Sequence, residues 1–273
     1  MKPPMHAAPP PNERILVIDD DVVMRELLSL LLASPARSVS SAEDGEQALK
    51  YLDSLAPAVR PNVILSDLRM PGLTAGALGL RLRLLCPPPA LLIAMSGSDP
   101  DAGPVVPFDA FLSKPFTVEQ FEAALNRLQP PPAPPAAKQR PPRTSRAGRK
   151  AAPVEVPPLD ETTFSTLVTL MGPQQLPQLY ALFLEDAPAR VARMQAAAAI
   201  NDAATFSREA HAIKGGCGML GATEIHFIAS QLETGGLACS PLLNDFEQAF
   251  ERLRRILKER LDGPVEQRVD PLP

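Results

Sequence analysis

Arg14-Ile15-Leu16-Val17-Ile18-Asp19-Asp20-Asp21 decides the fold of the first half of the chain. Four consecutive large apolar residues stop abruptly at three acids. An apolar run without alternation is the pattern of a strand buried on both faces, as in a parallel sheet covered by helices. The same pattern recurs downstream. Asn62-Val63-Ile64-Leu65 stops at Ser66-Asp67, Leu91-Leu92-Ile93-Ala94-Met95 at Ser96-Gly97, and Ala110-Phe111-Leu112 before Lys114-Pro115. A weaker strand spans Arg37 to Ala42. Between the strands, Val23, Leu27, Leu28, Leu31 and Leu32 recur at helical spacing, and a second helix is expected around Glu46–Leu52. Thr117 and Gln120 form a capping box ahead of a helix carrying Val118, Phe121, Leu125 and Leu128. Ligand chemistry in parallel sheets collects at the carboxyl ends of the strands. Here those ends carry Asp19, Asp20, Asp67, Ser96 and Lys114.

The chain has 273 residues, room for about two domains. Its 33 prolines place a structureless segment between them, because ten fall within residues 129–158. That segment holds Lys138, Arg140, Arg143, Arg146, Arg149 and Lys150 against Glu155, a charge of +5 within a chain of net charge −4. The rest therefore carries −9, which argues against nucleic acid as the main partner. Cys86, Cys217 and Cys239 fit neither a disulfide framework nor a zinc site. No apolar run is long enough for a membrane span, and residues 1–12 do not read as a secretory signal. A cytoplasmic protein is the expectation.

From Leu159 onward the periodicity is helical throughout and predicts a bundle. Asp160 caps a helix with Phe164, Leu167 and Met171. A long stretch through Leu179 and Phe183 meets Pro188, where a bend is expected. A third helix carries Phe206, Ala210, Ile213, Cys217 and Leu220, and Ile225, Ile228 and Leu232 mark a fourth. Ser240-Pro241 is expected to open the last, with Leu243, Phe246, Phe250, Leu253 and Leu257.

Three carboxylates at one sheet edge stay ionised together only beside a cation, and all-oxygen ligands select a hard ion such as Mg2+. With a lysine and a hydroxyl opposite, such a site stabilises a phosphoryl group in transfer, and a carboxylate can itself carry it as an acyl phosphate. Ile15–Asp20, Ser66-Asp67 with Met70-Pro71, Ser96 and Lys114-Pro115-Phe116 resemble the signature of the two-component receiver domain over residues 12–128. The resemblance implies a five-stranded flavodoxin-like α/β fold with Asp67 as phosphoacceptor. It implies Mg2+ held by Asp19, Asp20, Asp67 and the backbone carbonyl of Arg69. Ser96 and Lys114 would meet the phosphoryl oxygens, and Phe111 stands at the aromatic switch position. Only 17 residues separate Ser96 from Lys114, among them Pro100, Pro104 and Pro107. The fourth helix of the pattern is therefore expected to be missing or reduced, which favours relay over dimer switching.

His211 forms the second constellation. Gly215 and Gly218 fall within about 40° of it on a helix, while Ile213 points some 200° away. Gly215, Gly216 and Gly218 each cost a helix about 1 kcal/mol relative to alanine, so something must approach that backbone closely. An imidazole on a bare glycine surface beside Lys214 suits an exposed nucleophile meeting an anionic partner. Ala210-His211-Ala212-Ile213-Lys214-Gly215-Gly216, continuing to Leu220-Gly221-Ala222, resembles the histidine phosphotransfer (HPt) domain over residues 159–262. It implies a four-helix bundle with an extra N-terminal helix and the phosphoryl group on His211. His226 reads as structural. Residues 129–158 are the expected linker and 263–273 a tail.

The two resemblances together imply a phosphorelay protein rather than an independent kinase, since no ATP-binding glycine loop is present. A sensor histidine kinase is the expected upstream partner and a response regulator the expected downstream one. The competing reading is a docking protein that regulates a kinase with one or both phosphosites idle.

Overall fold

The structure is a computed structural model that describes residues 13–97, 107–128, 156–171 and 174–262. The expected spacer over 129–158 lies almost wholly outside the described residues, as does most of the segment joining the fourth and fifth strands.

Five strands form one parallel sheet: β1 (Glu13–Ile18), β2 (Arg37–Ala42), β3 (Val63–Asp67), β4 (Leu91–Ser96) and β5 (Ala110–Ser113). Their order, β2-β1-β3-β4-β5, is the flavodoxin-like order expected. β1 pairs Ile15 with Val63 and Ile18 with Ser66, and β3 pairs Asp67 with Met95. This register brings Asp19, Asp67 and Ser96 to one edge. α1 (Val22–Leu32), α2 (Gly45–Ser54), α3 (Ala75–Leu85) and α4 (Val118–Leu128) cover the two faces. Leu16, Ile18, Ile64 and Leu92 pack toward α2 and α3, and Ile15, Val17, Leu65 and Ile93 toward α1 and α4. The split follows from the two-residue repeat of a strand.

The capping box of α4 forms as the sequence predicts. The Thr117 backbone N–H donates to Gln120 Oε1 at 2.8 Å and the Gln120 N–H to Thr117 Oγ1 at 3.3 Å. Among the described residues between β4 and β5 there is no helix. Pro107 and Phe108 instead sit against Gly79 of α3, where a Cβ would approach Pro107 Cδ to 2.7 Å. α3 itself has no legible stripe. Its leucines lie all round the helix, Leu78 and Leu82 buried but Leu80 and Leu84 exposed.

The second half is helical: α5 (Glu161–Leu170), α6 (Gln175–Ala199), α7 (Ala203–Leu220), α8 (Thr223–Gly235) and α9 (Leu243–Asp262). α6 runs as one helix through Pro188. The last helix starts at Leu243 rather than at Ser240-Pro241, which lies in a 3-10 turn over Gly236–Leu242. Tyr180, buried in the bundle, donates from Oη to the Leu220 carbonyl at 2.8 Å and fixes α6 against the end of α7. Gly221 then ends α7 at φ 72°, a left-handed cap that glycine adopts without strain.

α1 packs against α6 and α7, so the two halves share an interface. A continuous buried apolar cluster runs from the α1/α4 side of the sheet into the bundle. The interface carries the chemistry.

Candidate functional site

Asp19, Asp20 and Asp21 follow β1 in succession and meet different partners. Asp19 is fully buried and meets the Lys114 ammonium at 2.5 Å. Asp67, 3% exposed at the end of β3, takes the same ammonium at 2.7 Å. Its other oxygen accepts the Arg69 backbone N–H at 2.9 Å. Asp20 is only partly buried and turns toward the same space. Asp21 does something else. It caps α1, accepting from Val23 and Met24, and it faces Arg190 of α6 at 3.7 Å.

Oxygens of Asp19, Asp20 and Asp67 lie within 4.8 Å of one another. Three carboxylates against one lysine leave net negative charge. Burial, opposed by Lys114 and reinforced by Asp67 and Asp21, pushes Asp19 up to about 6. Burial and the charges of Asp19 and Asp67 take Asp20 up to about 6 as well. Burial also pushes on Asp67, but there Lys114 and the Arg69 N–H win and hold it below the usual carboxylate range. A compact, oxygen-only, electron-rich set with unmet negative charge suits a hard divalent cation. Ser96 is buried on the same edge, and Phe111 is half-buried on β5.

His211 lies across this edge, held from two sides. Its Nδ1 is 2.6 Å from Glu233 Oε1 on α8. Burial would raise Glu233, but hydrogen bonds from His211 and Lys214 outweigh it and bring the carboxyl down to about 2. An ionised carboxylate can only accept, so Nδ1 carries a proton, and in the neutral ring Nε2 is the nitrogen left with a lone pair. The Lys214 ammonium donates to Glu233 Oε2 at 2.6 Å and to the Gly97 carbonyl at 2.9 Å.

The imidazole is not exposed as the sequence reading expects. It is 6% exposed, and what covers it is the sheet edge of the same chain. A Cβ on Gly97 would come within 3.1 Å of His211 Cε1, and one on Gly216 within 3.2 Å of Asp21 Oδ2. One on Gly215 would stand in ordinary contact with Lys114 at 3.9 Å, and one on Gly218 would meet His226 Nδ1 of α8 at 3.2 Å before Pro115 at 3.4 Å. The glycine face of α7 is therefore approached, as its helix cost implied, most closely by Asp21 of the first half at Gly216 and by His226 of α8 together with Pro115 at Gly218. A cleft of about 360 Å³ opens beside His211 between Arg69, Met70 and Pro71 on one side and Ala204 and Arg208 on the other. His226 accepts no such role; its Nδ1 donates to the Lys214 carbonyl at 3.0 Å inside the bundle.

A family model for the response regulator receiver domain matches residues 15–126, and a model for the Hpt domain matches residues 178–259. The chain joins a response regulator receiver domain to an Hpt domain. Receiver domains bind Mg2+ at an acidic pocket, and receiver and Hpt domains interact with histidine kinases and other response regulators.

A curated relative, the positive alginate biosynthesis regulatory protein of Pseudomonas aeruginosa, is 32% identical over 134 residues, 45% of this chain and 52% of its own length. The chain thus spans about half of that relative. Among solved structures, chemotaxis protein CheY4 of Vibrio cholerae is 24% identical, covering 43% of this chain and 98% of that one, with a TM-score of 0.37. Response regulator TrrA of Thermotoga maritima, in complex with Mg2+-BeF, is 25% identical over 43% of this chain and 99% of that one, with a TM-score of 0.38. Among the described residues, no helix is long and apolar enough to cross a membrane.

Glu233 and Arg190 were not legible as site residues. Each acts from a helix other than the one carrying its partner, and no local spacing marks either.

Proposed function

We propose that this protein relays phosphoryl groups through two residues, Asp67 in the receiver and His211 in the Hpt domain. The observation that carries the reading is the placement of His211 over the acidic edge that holds Asp67, with Glu233 fixing its tautomer. Asp67 accepts the phosphoryl group on a carboxylate oxygen. Lys114, already bridging Asp19 and Asp67, neutralises the charge that builds on the phosphoryl oxygens, and Ser96 adds a hydroxyl. Asp19, Asp20, Asp67 and the Arg69 carbonyl would hold Mg2+, which when bound would supply further positive charge at those oxygens. His211 presents Nε2 as nucleophile, and the Glu233 carboxylate stabilises the ring cation that forms on phosphorylation.

The receiver spans residues 12–128, the linker 129–158 and the Hpt domain 159–262. The phosphoryl source is a sensor histidine kinase and the onward acceptor a response regulator. Substituting Asp67→Asn should remove acid-stable, base-labile label deposited by a small acyl phosphate donor, and His211→Gln should remove base-stable, acid-labile label. Label persisting on the doubly substituted protein would sink the assignment. A docking role with idle phosphosites predicts instead that both single variants behave as the unsubstituted chain in signalling.

A further inference from the structure

The docked arrangement of the two domains carries more than proximity. Its polar contacts are reciprocal. The receiver acid Asp21 faces the Hpt base Arg190, while the receiver base Arg69 meets the Hpt acid Glu233 at 3.1 Å. Lys214 reaches across to the Gly97 carbonyl, and the Phe116 N–H points at Met219 Sδ at 3.3 Å. Opposed charge pairs of this kind fix register and exclude other orientations. The sterics match too, since glycines stand on both sides of the closest approach, Gly97 below His211 and Gly216 above Asp21. Arg190 is buried among Asp21, Asp186 and Glu209, so one of its three acids is supplied by the receiver. The same face of α7 is the one any other receiver would have to meet in order to reach His211.

We propose that this chain's own receiver is the resident partner of its Hpt face, so that the phosphoryl group passes between Asp67 and His211 of one molecule and the docked face is closed to receivers of other proteins. The inference rests on the relay reading above and adds its partner and its gate. In the transfer, the bond from phosphorus to an Asp67 carboxylate oxygen breaks and a bond to His211 Nε2 forms. Asp67 leaves as carboxylate, and the Nδ1 proton stays on the ring against Glu233. No proton crosses the interface, and the reverse transfer retraces the same bonds. Arg190 with Asp21 is the latch. Onward transfer to a foreign receiver requires it to open.

The test uses the full chain, loaded at Asp67 with a labelled small acyl phosphate in the presence of Mg2+, with label on His211 followed over time. Intramolecular transfer gives a rate independent of protein concentration. A mixture of the His211→Gln and Asp67→Asn chains can transfer only between molecules. With a tethered partner at an effective concentration of about 1 mM, the mixture at about 10 μM should run roughly a hundredfold slower. Arg190→Gln should slow the intramolecular rate at least about tenfold. Asp21→Asn, which keeps a capping side chain on α1, should do the same, and a melting curve for each variant checks that it is folded. Equal, concentration-dependent rates in the unsubstituted chain and the mixture would overturn resident pairing while leaving the relay reading intact. No label on His211 in either would overturn both. Folded latch variants that transfer at the unsubstituted rate would remove the latch.

Discussion

Asp19, Asp20 and Asp21 follow one another in the chain but face different neighbours, and their chemistry divides accordingly. Asp19 and Asp20 are both pushed up to about 6, chiefly by burial. Their folded values lie above the unfolded carboxyl range, so between about pH 4 and 6 the folded, metal-free protein binds more protons than the unfolded chain. Stability contributed by these two groups therefore falls as pH rises through that window. Cation binding needs both ionised, so the stabilisation by Mg2+ should be small near pH 5 and grow toward pH 7, read as the shift in melting temperature on adding the ion. Glu233 titrates in the opposite sense. Held at about 2, it contributes stability present above its unfolded value and lost as pH falls toward 2. Replacing it as Glu233→Gln keeps the shape but removes the charge that orients and stabilises His211. A charge-assisted hydrogen bond contributes about 1.5–3 kcal/mol, which corresponds to transfer roughly ten- to a hundredfold slower, measured as the single-turnover rate at His211.

At the scale of elements, the capping box and the long apolar strands were readable because their signals are local. Thr117 and Gln120 are three residues apart and bond each other directly. Thr117→Ala should cost about 1 kcal/mol, seen as a lowered midpoint in denaturant without a change in slope. β2 runs over Arg37–Ala42, as its sequence predicts, and β1, β3, β4 and β5 end at the polar residues that stop them. α3 was not readable, because leucines on every side erase the stripe. The start of α9 was misplaced for a related reason. Ser240-Pro241 is a good opening in isolation, but the chain leaving α8 is turned by Gly236 at φ 58° and completes a 3-10 turn first.

At the scale of the molecule, the apolar cluster that crosses from sheet to bundle couples the stability of the two domains. Calorimetry should therefore record a single cooperative transition for the full chain, and opening the interface with Arg190→Gln should separate it into two. Two resolved transitions in the unsubstituted protein would mean that the interface contributes too little to link them.

Local pattern alone sets the parts: a parallel sheet with acids, a serine and a lysine at its strand ends, and a helix whose histidine stands in a row of glycines. These follow from periodicity and residue chemistry over spans of a few turns. What lies against that row follows from the packing of the folded chain. His211 is covered rather than open, because Gly97, Lys114 and Pro115 from the receiver fill the space its glycines leave, and Glu233 closes it from α8. Those contacts join residues some 20 to 115 positions apart, and their formation depends on burial and charge pairing at a shared surface, which no local pattern encodes.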